Sequence, residues 1–401
     1  MRRALLALLL IVFSTLVGLA MAEAVLRIGG FHEPIWFGPD RELGGALRPK
    51  VSGWHTSEGH AWVAINSAGQ RDWEHAIEKP PNVYRIAVIG DSYAEAMQVD
   101  IKDAFWHVLE EKLSQCSFRP GMKIEVVNFG ESGYSTAQEY LVLQSRAARY
   151  RPDMVLLAFT NGNDVRNNSK ALEPEKDRPF FIAGPSGLIL DNSFRDTDTF
   201  RQRSSAMLEF YRELADHSRV MQLVHVARNA LSQWRETSSA APAAAAPAAE
   251  PGLDYATLAP PRTHAWEDAW TVTEALINRI SHYASAHGTP LVIVPVTAAS
   301  QVDPDRHARE ELQRSLGVSD LFYIEHRLQL LAQSNGARFI PLAYEMQKRA
   351  EAEHIYFHGF KNVGMGKGHW NENGHRAAAE IIARDLCTRP PANPAAVPSG
   401  S

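Results

Sequence analysis

The stretch "RIAVIGDSYAEAM" (residues 85–97) decides the fold. An apolar run of strand character ends at Gly90, a Gly-Asp-Ser turn follows, and helix-forming residues begin at once behind it. A strand passing into a helix through a tight turn is the opening of a β/α unit. Ser92 on that turn is either a helix cap or a nucleophile, and the turn alone does not choose between them. A nucleophile needs a base and oxyanion donors from elsewhere in the chain.

Outward from this stretch the same alternation repeats. "YRIAVIG" (84–90), "IEVVNFG" (124–130), "DMVLLAF" (153–159), "LVIVPV" (291–296) and "RFIPL" (338–342) are apolar runs suited to strands buried on both faces. Helical patterns lie between and after them at 104–116, 136–150, 268–288, 319–336 and 373–386. Alternating strands and helices predict an α/β fold with a mostly parallel five-stranded sheet, helices on both faces, and functional residues at the carboxyl ends of the strands. The alternation breaks over 165–267, where an insertion contains the helical stretch 204–234 and ends in an Ala/Pro linker, "SSAAPAAAAPAAEPG" (238–252). The insertion is read as a lid over the site, a membrane contact or padding. Residues 23–82 read as a small β-containing segment packed on the main domain (83–388), and 389–401 as a disordered tail.

Arg2 and Arg3 precede nineteen uncharged residues, Ala4–Ala22. At about 1.5 Å per residue these reach roughly 28 Å, close to the hydrocarbon thickness of a bilayer. The length favours a retained anchor, and Ala20-Met21-Ala22 leaves a cleaved signal peptide as the alternative. In both cases residues beyond 22 are expected outside the cytoplasmic membrane. A net charge of −5 without a basic cluster argues against a nucleic-acid partner. The two cysteines, Cys116 and Cys387, are expected either to pair in an oxidising compartment or to stay as buried thiols.

The strand ends carry the candidate chemistry. The first supplies Asp91 and Ser92, the second "NFGESGYSTAQ" with Gly133, the third "FTNGNDVRNNS" with Asn163 and Asp164, and "GHWNENGH" places His369 in a loop before the last helix, with Asn371 as its N-cap. Ser92 has its own N–H near a helix N-terminus, Gly133 leaves its N–H unobstructed, the Asn163 amide adds an uncharged donor, and His369 can take the serine proton. Asp91 and Asp164 are expected to be structural, bonding loop amides.

The blocks "GDSY", "GESGY", "NGND" and "GHWNENGH", in this order over residues 83–388, resemble the SGNH hydrolase superfamily, also called GDSL esterases or lipases. The resemblance implies a three-layer α/β/α flavodoxin-like fold, Ser92 as nucleophile, Ser92, Gly133 and Asn163 as oxyanion donors, His369 as base, and neither metal nor cofactor. With "INSAGQRD" and the apolar N-terminus it looks like an exported bacterial branch. One departure stands out: the family's aspartate three residues before the histidine is Gly366 here. The third triad member must come from elsewhere, or a backbone carbonyl orients the imidazole.

A zinc reading of His354, His358, His369 and His375 lacks a standard ligand spacing. "NNS" (167–169) matches a glycosylation sequon, and Trp370 beside the base is the tryptophan to watch for sugar stacking. The expected activity is hydrolysis of short O-acyl esters, such as acetyl esters, of an acylated carbohydrate or lipid outside the membrane. The alternatives are O-acetyl transfer to an envelope polysaccharide and non-catalytic carbohydrate binding.

Overall fold

The computed structural model describes residues 2–116, 118–185, 187–239 and 255–391. Residues 240–252 of the expected linker and 392–401 of the expected tail lie outside the described residues.

An apolar helix α1 (Arg2–Ile28) leads into two antiparallel hairpins, β1 (Phe37–Asp40) with β2 (Gly44–Leu47) and β3 (Ser52–His55) with β4 (Ala61–Ala64). The main domain then runs β5 (Val83–Gly90), α2 (Ser92–Glu95), α3 (Phe105–Gln115), β6 (Lys123–Asn128), α4 (Thr136–Ser145) and β7 (Met154–Thr160). The insertion follows as α5 (Asp164–Asn167), the hairpin β8 (Phe180–Gly184) and β9 (Gly187–Asp191), then α6 (Asp198–Arg203), α7 (Ala206–His217) and α8 (Arg219–Ser239). The chain closes with α9 (His264–Ala286), β10 (Leu291–Val296), α10 (Arg306–Leu316), α11 (Tyr323–Ser334), β11 (Arg338–Phe339), α12 (Ala343–Glu353), the hairpin β12 (His358–Phe360) and β13 (Gly364–Trp370), and α13 (Glu372–Thr388).

The central sheet has the order β11-β10-β7-β5-β6 and every pairing in it is parallel. Alternate residues of each strand face opposite layers. Ile86 and Val88 pack with α3, α12 and α13, whereas Ala87 and Ile89 pack with α4, α9 and α11. The result is a three-layer α/β/α fold in which β5, β6, β7, β10 and β11 follow the flavodoxin-like order 2-1-3-4-5. That order reverses between β5 and β7, and Ser92 and Asn163 follow those two strands. A crevice at the carboxyl end of a sheet forms at such a reversal.

The expected strand over 338–342 shortens to Arg338–Phe339, because Pro341 has no N–H to continue the ladder. The helix expected over 136–150 ends at Ser145 and gives way to a 3₁₀ turn at Ala147–Tyr150. His369 sits on β13 rather than in a loop: the glycine-rich run 364–368 folds back on β12, with Gly364, Gly366 and Gly368 all at positive φ. Cys116 and Cys387 form a disulfide, with Cα atoms 6.1 Å apart, joining the ends of α3 and α13.

The N-terminal segment is tied to the sheet by charge. Arg85, buried in β5, donates to Glu125 of β6 (2.5 Å) and to the Tyr150 carbonyl (2.8 Å). His75 lies between Asp72 and Glu125, 3.1 Å from each, and Asp72 accepts from the Asn128 N–H (2.7 Å). Burial opposes protonation of His75, but the two carboxylates prevail and push its pKa up to about 9.

Candidate active site

Ser92 is the first residue of α2, set there by a turn that tolerates little else. Asp91 caps α2 by accepting from the Tyr93 N–H (3.0 Å) and also accepts from the Thr160 hydroxyl (2.7 Å). A Cβ at Gly90 would meet the Ala158 carbonyl at 3.0 Å, and one at Gly130 would lie 2.3 Å from the Ala94 Cβ. The close approach of β5, β6 and β7 to α2 therefore depends on these glycines.

The Ser92 Oγ lies 2.8 Å from His369 Nε2. On the far side of the ring, His369 Nδ1 lies 2.5 Å from a carboxylate oxygen of Glu58, whose other oxygen accepts from the His369 backbone N–H at 2.6 Å. Glu58 thus holds both the ring and the main chain of the same residue. It belongs to the turn of the β3–β4 hairpin, 311 positions before His369. Burial opposes ionisation of Glu58, yet the hydrogen bonds and charge of His369 hold its carboxyl below the usual range. A carboxylate, and not a backbone carbonyl, thus stands against His369 Nδ1.

Three features aim this hairpin. The Trp54 N–H bonds the His32 carbonyl (2.7 Å). Asn362, in the β12–β13 turn, accepts from the Gly59 N–H (3.1 Å) and donates to the carbonyls of Thr56 (3.0 Å) and Gly59 (3.2 Å). Gly368 adopts φ +70°, and a Cβ there would fall 2.0 Å from a Glu58 carboxylate oxygen. Gly366, at the position of the expected aspartate, has φ +77° and faces the Tyr356 ring, where a Cβ would stand at 3.0 Å. The same glycine-rich strand removes one acid position and opens room for another.

The His369 ring is buttressed from behind. The Tyr93 ring lies 4.8 Å from that of His369, and its hydroxyl donates to the Gly368 carbonyl (3.1 Å). Buried His358 contacts the same carbonyl through Nδ1 (2.8 Å) and the Thr297 hydroxyl through Nε2 (2.9 Å), and burial lowers its pKa to about 4. Trp370 is buried and donates to Thr297 (2.8 Å), so it braces the end of β13 instead of presenting a face to sugar. His375 packs parallel to Phe105 inside the fold.

Ser92, Gly133, Asn163 and His369 line one cleft of about 340 Å³, together with Tyr93, Ser132, Arg166, Asn167, Glu173, Glu175 and Arg178. Gly133 has φ +79°, and its carbonyl is held by Arg178 (2.5 Å). The Asn163 amide hydrogen-bonds the Asp91 carboxyl. Beneath the cleft, Asp164 accepts from the Thr160 N–H (2.8 Å); burial pushes the Asp164 and Glu139 carboxyls well above their ordinary values, and the charge of Asp91 adds to the rise of both. Arg166 to Arg178 come from the start of the insertion, which forms one wall of the cleft. Asn167 and Ser169 of the sequon are buried, so the match is structural.

Ser92 and His369 were legible as residues at strand-and-helix junctions; Glu58 was not. The available signal was an acid before Gly59 in the tight turn "HTSEGHA" (55–61) between alternating strands.

No protein-family profile and no curated protein matches the chain. Among solved structures, an acetyl xylan esterase shares 12% identity and a TM-score of 0.36, over 75% of this chain and 99% of its own. A catalytic mutant of an acetylxylan esterase from Geobacillus stearothermophilus shares 11% identity and a TM-score of 0.38, over 76% and 94%. A lipase/acylhydrolase from Enterococcus faecalis shares 12% identity and a TM-score of 0.36, over 76% and 96%. The strand order, with three of the four sequence blocks at the sheet's carboxyl edge and the fourth brought to them on β13, makes the fold SGNH-hydrolase-like.

Proposed function

We propose that the chain is a serine esterase whose catalytic residues are Ser92, His369 and Glu58. The reading rests on the unbroken line from Ser92 Oγ to His369 Nε2 (2.8 Å) and from His369 Nδ1 to Glu58 (2.5 Å). His369 accepts the serine proton at Nε2 as Oγ attacks the ester carbonyl carbon. Negative charge grows on the carbonyl oxygen, where the N–H groups of Ser92 and Gly133 and the Asn163 amide donate. As the acyl–oxygen bond breaks, His369 returns the proton to the leaving alcohol, and an acyl group remains on Ser92. Water, deprotonated by His369, then attacks the acyl carbon and releases the acid. Glu58 keeps the proton on Nδ1 and stabilises the imidazolium in both halves.

The small cleft volume supports a short acyl group such as acetyl, and its polar and charged lining supports a hydrophilic alcohol, which favours an acylated carbohydrate over a lipid. The complete triad weighs against a purely binding descendant. If a sugar hydroxyl replaces water in the second half, the same residues perform O-acetyl transfer. We place this chemistry outside the cytoplasmic membrane with α1 as its anchor: Arg2 and Arg3 precede the apolar run, and the disulfide suits an oxidising compartment.

The test is hydrolysis of a chromogenic acetyl ester by the full chain beside Ser92→Ala and His369→Ala. Loss on the order of 10⁴-fold or more in both, with unchanged folding, is expected. Activity that survives Ser92→Ala overturns the proposal.

A further inference from the structure

Helices α7 and α8 are tied to the end of α1 rather than to the catalytic cleft. Glu23 and Arg27 are the first charged residues after Ala4–Ala22, so they mark the depth at which α1 leaves the apolar layer. Both engage the α7–α8 junction. The Glu23 carboxylate accepts from the N–H groups of Arg219 and Val220 (3.0 Å each) and from the Ser218 hydroxyl (3.1 Å), capping α8. Arg27 donates to the His217 carbonyl (2.7 Å). The first turn of α8 is thereby held against the end of α1.

From that point α8 presents an apolar stripe. Leu223, Val224 and Leu231 fall on one side of the helix and are more than 40% exposed, and on α7 Met207 and Phe210 are 74% and 65% exposed. The basic residues of α8, Arg219, Arg228 and Arg235, outnumber its single acid, Glu236. An exposed apolar stripe, cationic side chains and a fixed attachment at the anchor's exit are the properties of an interfacial helix on phospholipid.

We infer that the α7–α8 hairpin lies on the bilayer surface that α1 leaves, with the α8 stripe in the acyl boundary and its arginines at the phosphates. The inference rests on reading α1 as a membrane anchor. Its consequence is orientation. Arg48 of the N-terminal segment holds Asp216 of α7 through two bonds (2.9 and 2.5 Å), so a hairpin seated on lipid sets the height and tilt of the segment that carries Glu58.

The experiment uses the full chain in liposomes containing phosphatidylglycerol and brominated phospholipid. A fluorophore is attached at Val224→Cys on α8, at Val12→Cys inside α1, or at Leu330→Cys on exposed α11; the two native cysteines are already joined. Quenching at 224 about threefold or more above that at 330 is expected, together with strong quenching at 12. Quenching at 12 with only background at 224 overturns the inference and leaves the anchor standing. Background at both 12 and 224 overturns the anchor reading and the inference with it. A Leu223→Glu substitution added to the labelled chain is expected to reduce quenching at 224 while leaving ester hydrolysis of a soluble substrate intact.

Discussion

The two halves of the candidate triad reach the cleft by opposite routes. At the carboxyl edge of the sheet, Ser92, Gly133 and Asn163 each sit one short turn beyond a buried strand, so the strand register delivers them. Glu58 sits on a four-residue-stranded hairpin outside that sheet and arrives by docking, through Asn362, the Trp54–His32 bond and the vacancy above Gly368. The first route needs only local pattern and burial. The second depends on complementary surfaces from opposite ends of the chain, so it should fail under smaller perturbations.

The largest effect expected from this contrast is at Glu58. Glu58→Gln keeps the size but not the charge, and kcat on the acetyl ester should fall about 10³- to 10⁴-fold with little change in KM. Retained activity would mean that the docked hairpin has no role in orienting the base. Restoring an acid at the family position, Glu58→Gln with Gly366→Asp, should not recover the rate, because that backbone is left-handed and Tyr356 occupies the space.

Asn163→Ala tests the sheet-edge side and should lower kcat about 10²- to 10³-fold, the usual cost of one oxyanion donor. A loss matched by Asn163→Asp would strengthen the amide assignment. Gly368→Ala is next: the new methyl displaces Glu58 without touching the sheet, so kcat should fall on the order of 10²-fold while the melting temperature of the main domain changes little. An unchanged rate would show that the hairpin adapts more easily than its packing implies.

The smallest effect concerns stability alone. His75 has its pKa raised to about 9 from an ordinary 6.5, so its contribution is fully present below about pH 6.5 and is lost as pH rises through about 9. Denaturant unfolding followed at pH 6 and pH 9.5 should show the loss, and His75→Gln should flatten it. A wild-type profile no steeper than the variant's would remove this link between the N-terminal segment and β6.

The apolar runs and their glycine breaks were enough to indicate a parallel α/β sheet, because strands buried on both faces need continuous hydrophobic sequence. They also marked the turn serine, the glycine and asparagine after the next two strands, and the histidine before α13. Polar helices left weaker traces: α10, "RHAREELQRSL", buries only Arg309, so it lacked the apolar periodicity that reveals a helix. The strand that carries His369 left no trace, and a loop is expected there, because glycines at positive φ do not announce a strand.

The residues by themselves determined the sheet, its carboxyl edge and the serine and histidine candidates, since each of those is encoded by spacing along a few neighbouring residues. The tertiary structure decided which acid meets the histidine. A hydrogen bond spanning 311 positions has no local signature; it exists because one hairpin turn fits a space that Gly368 keeps open.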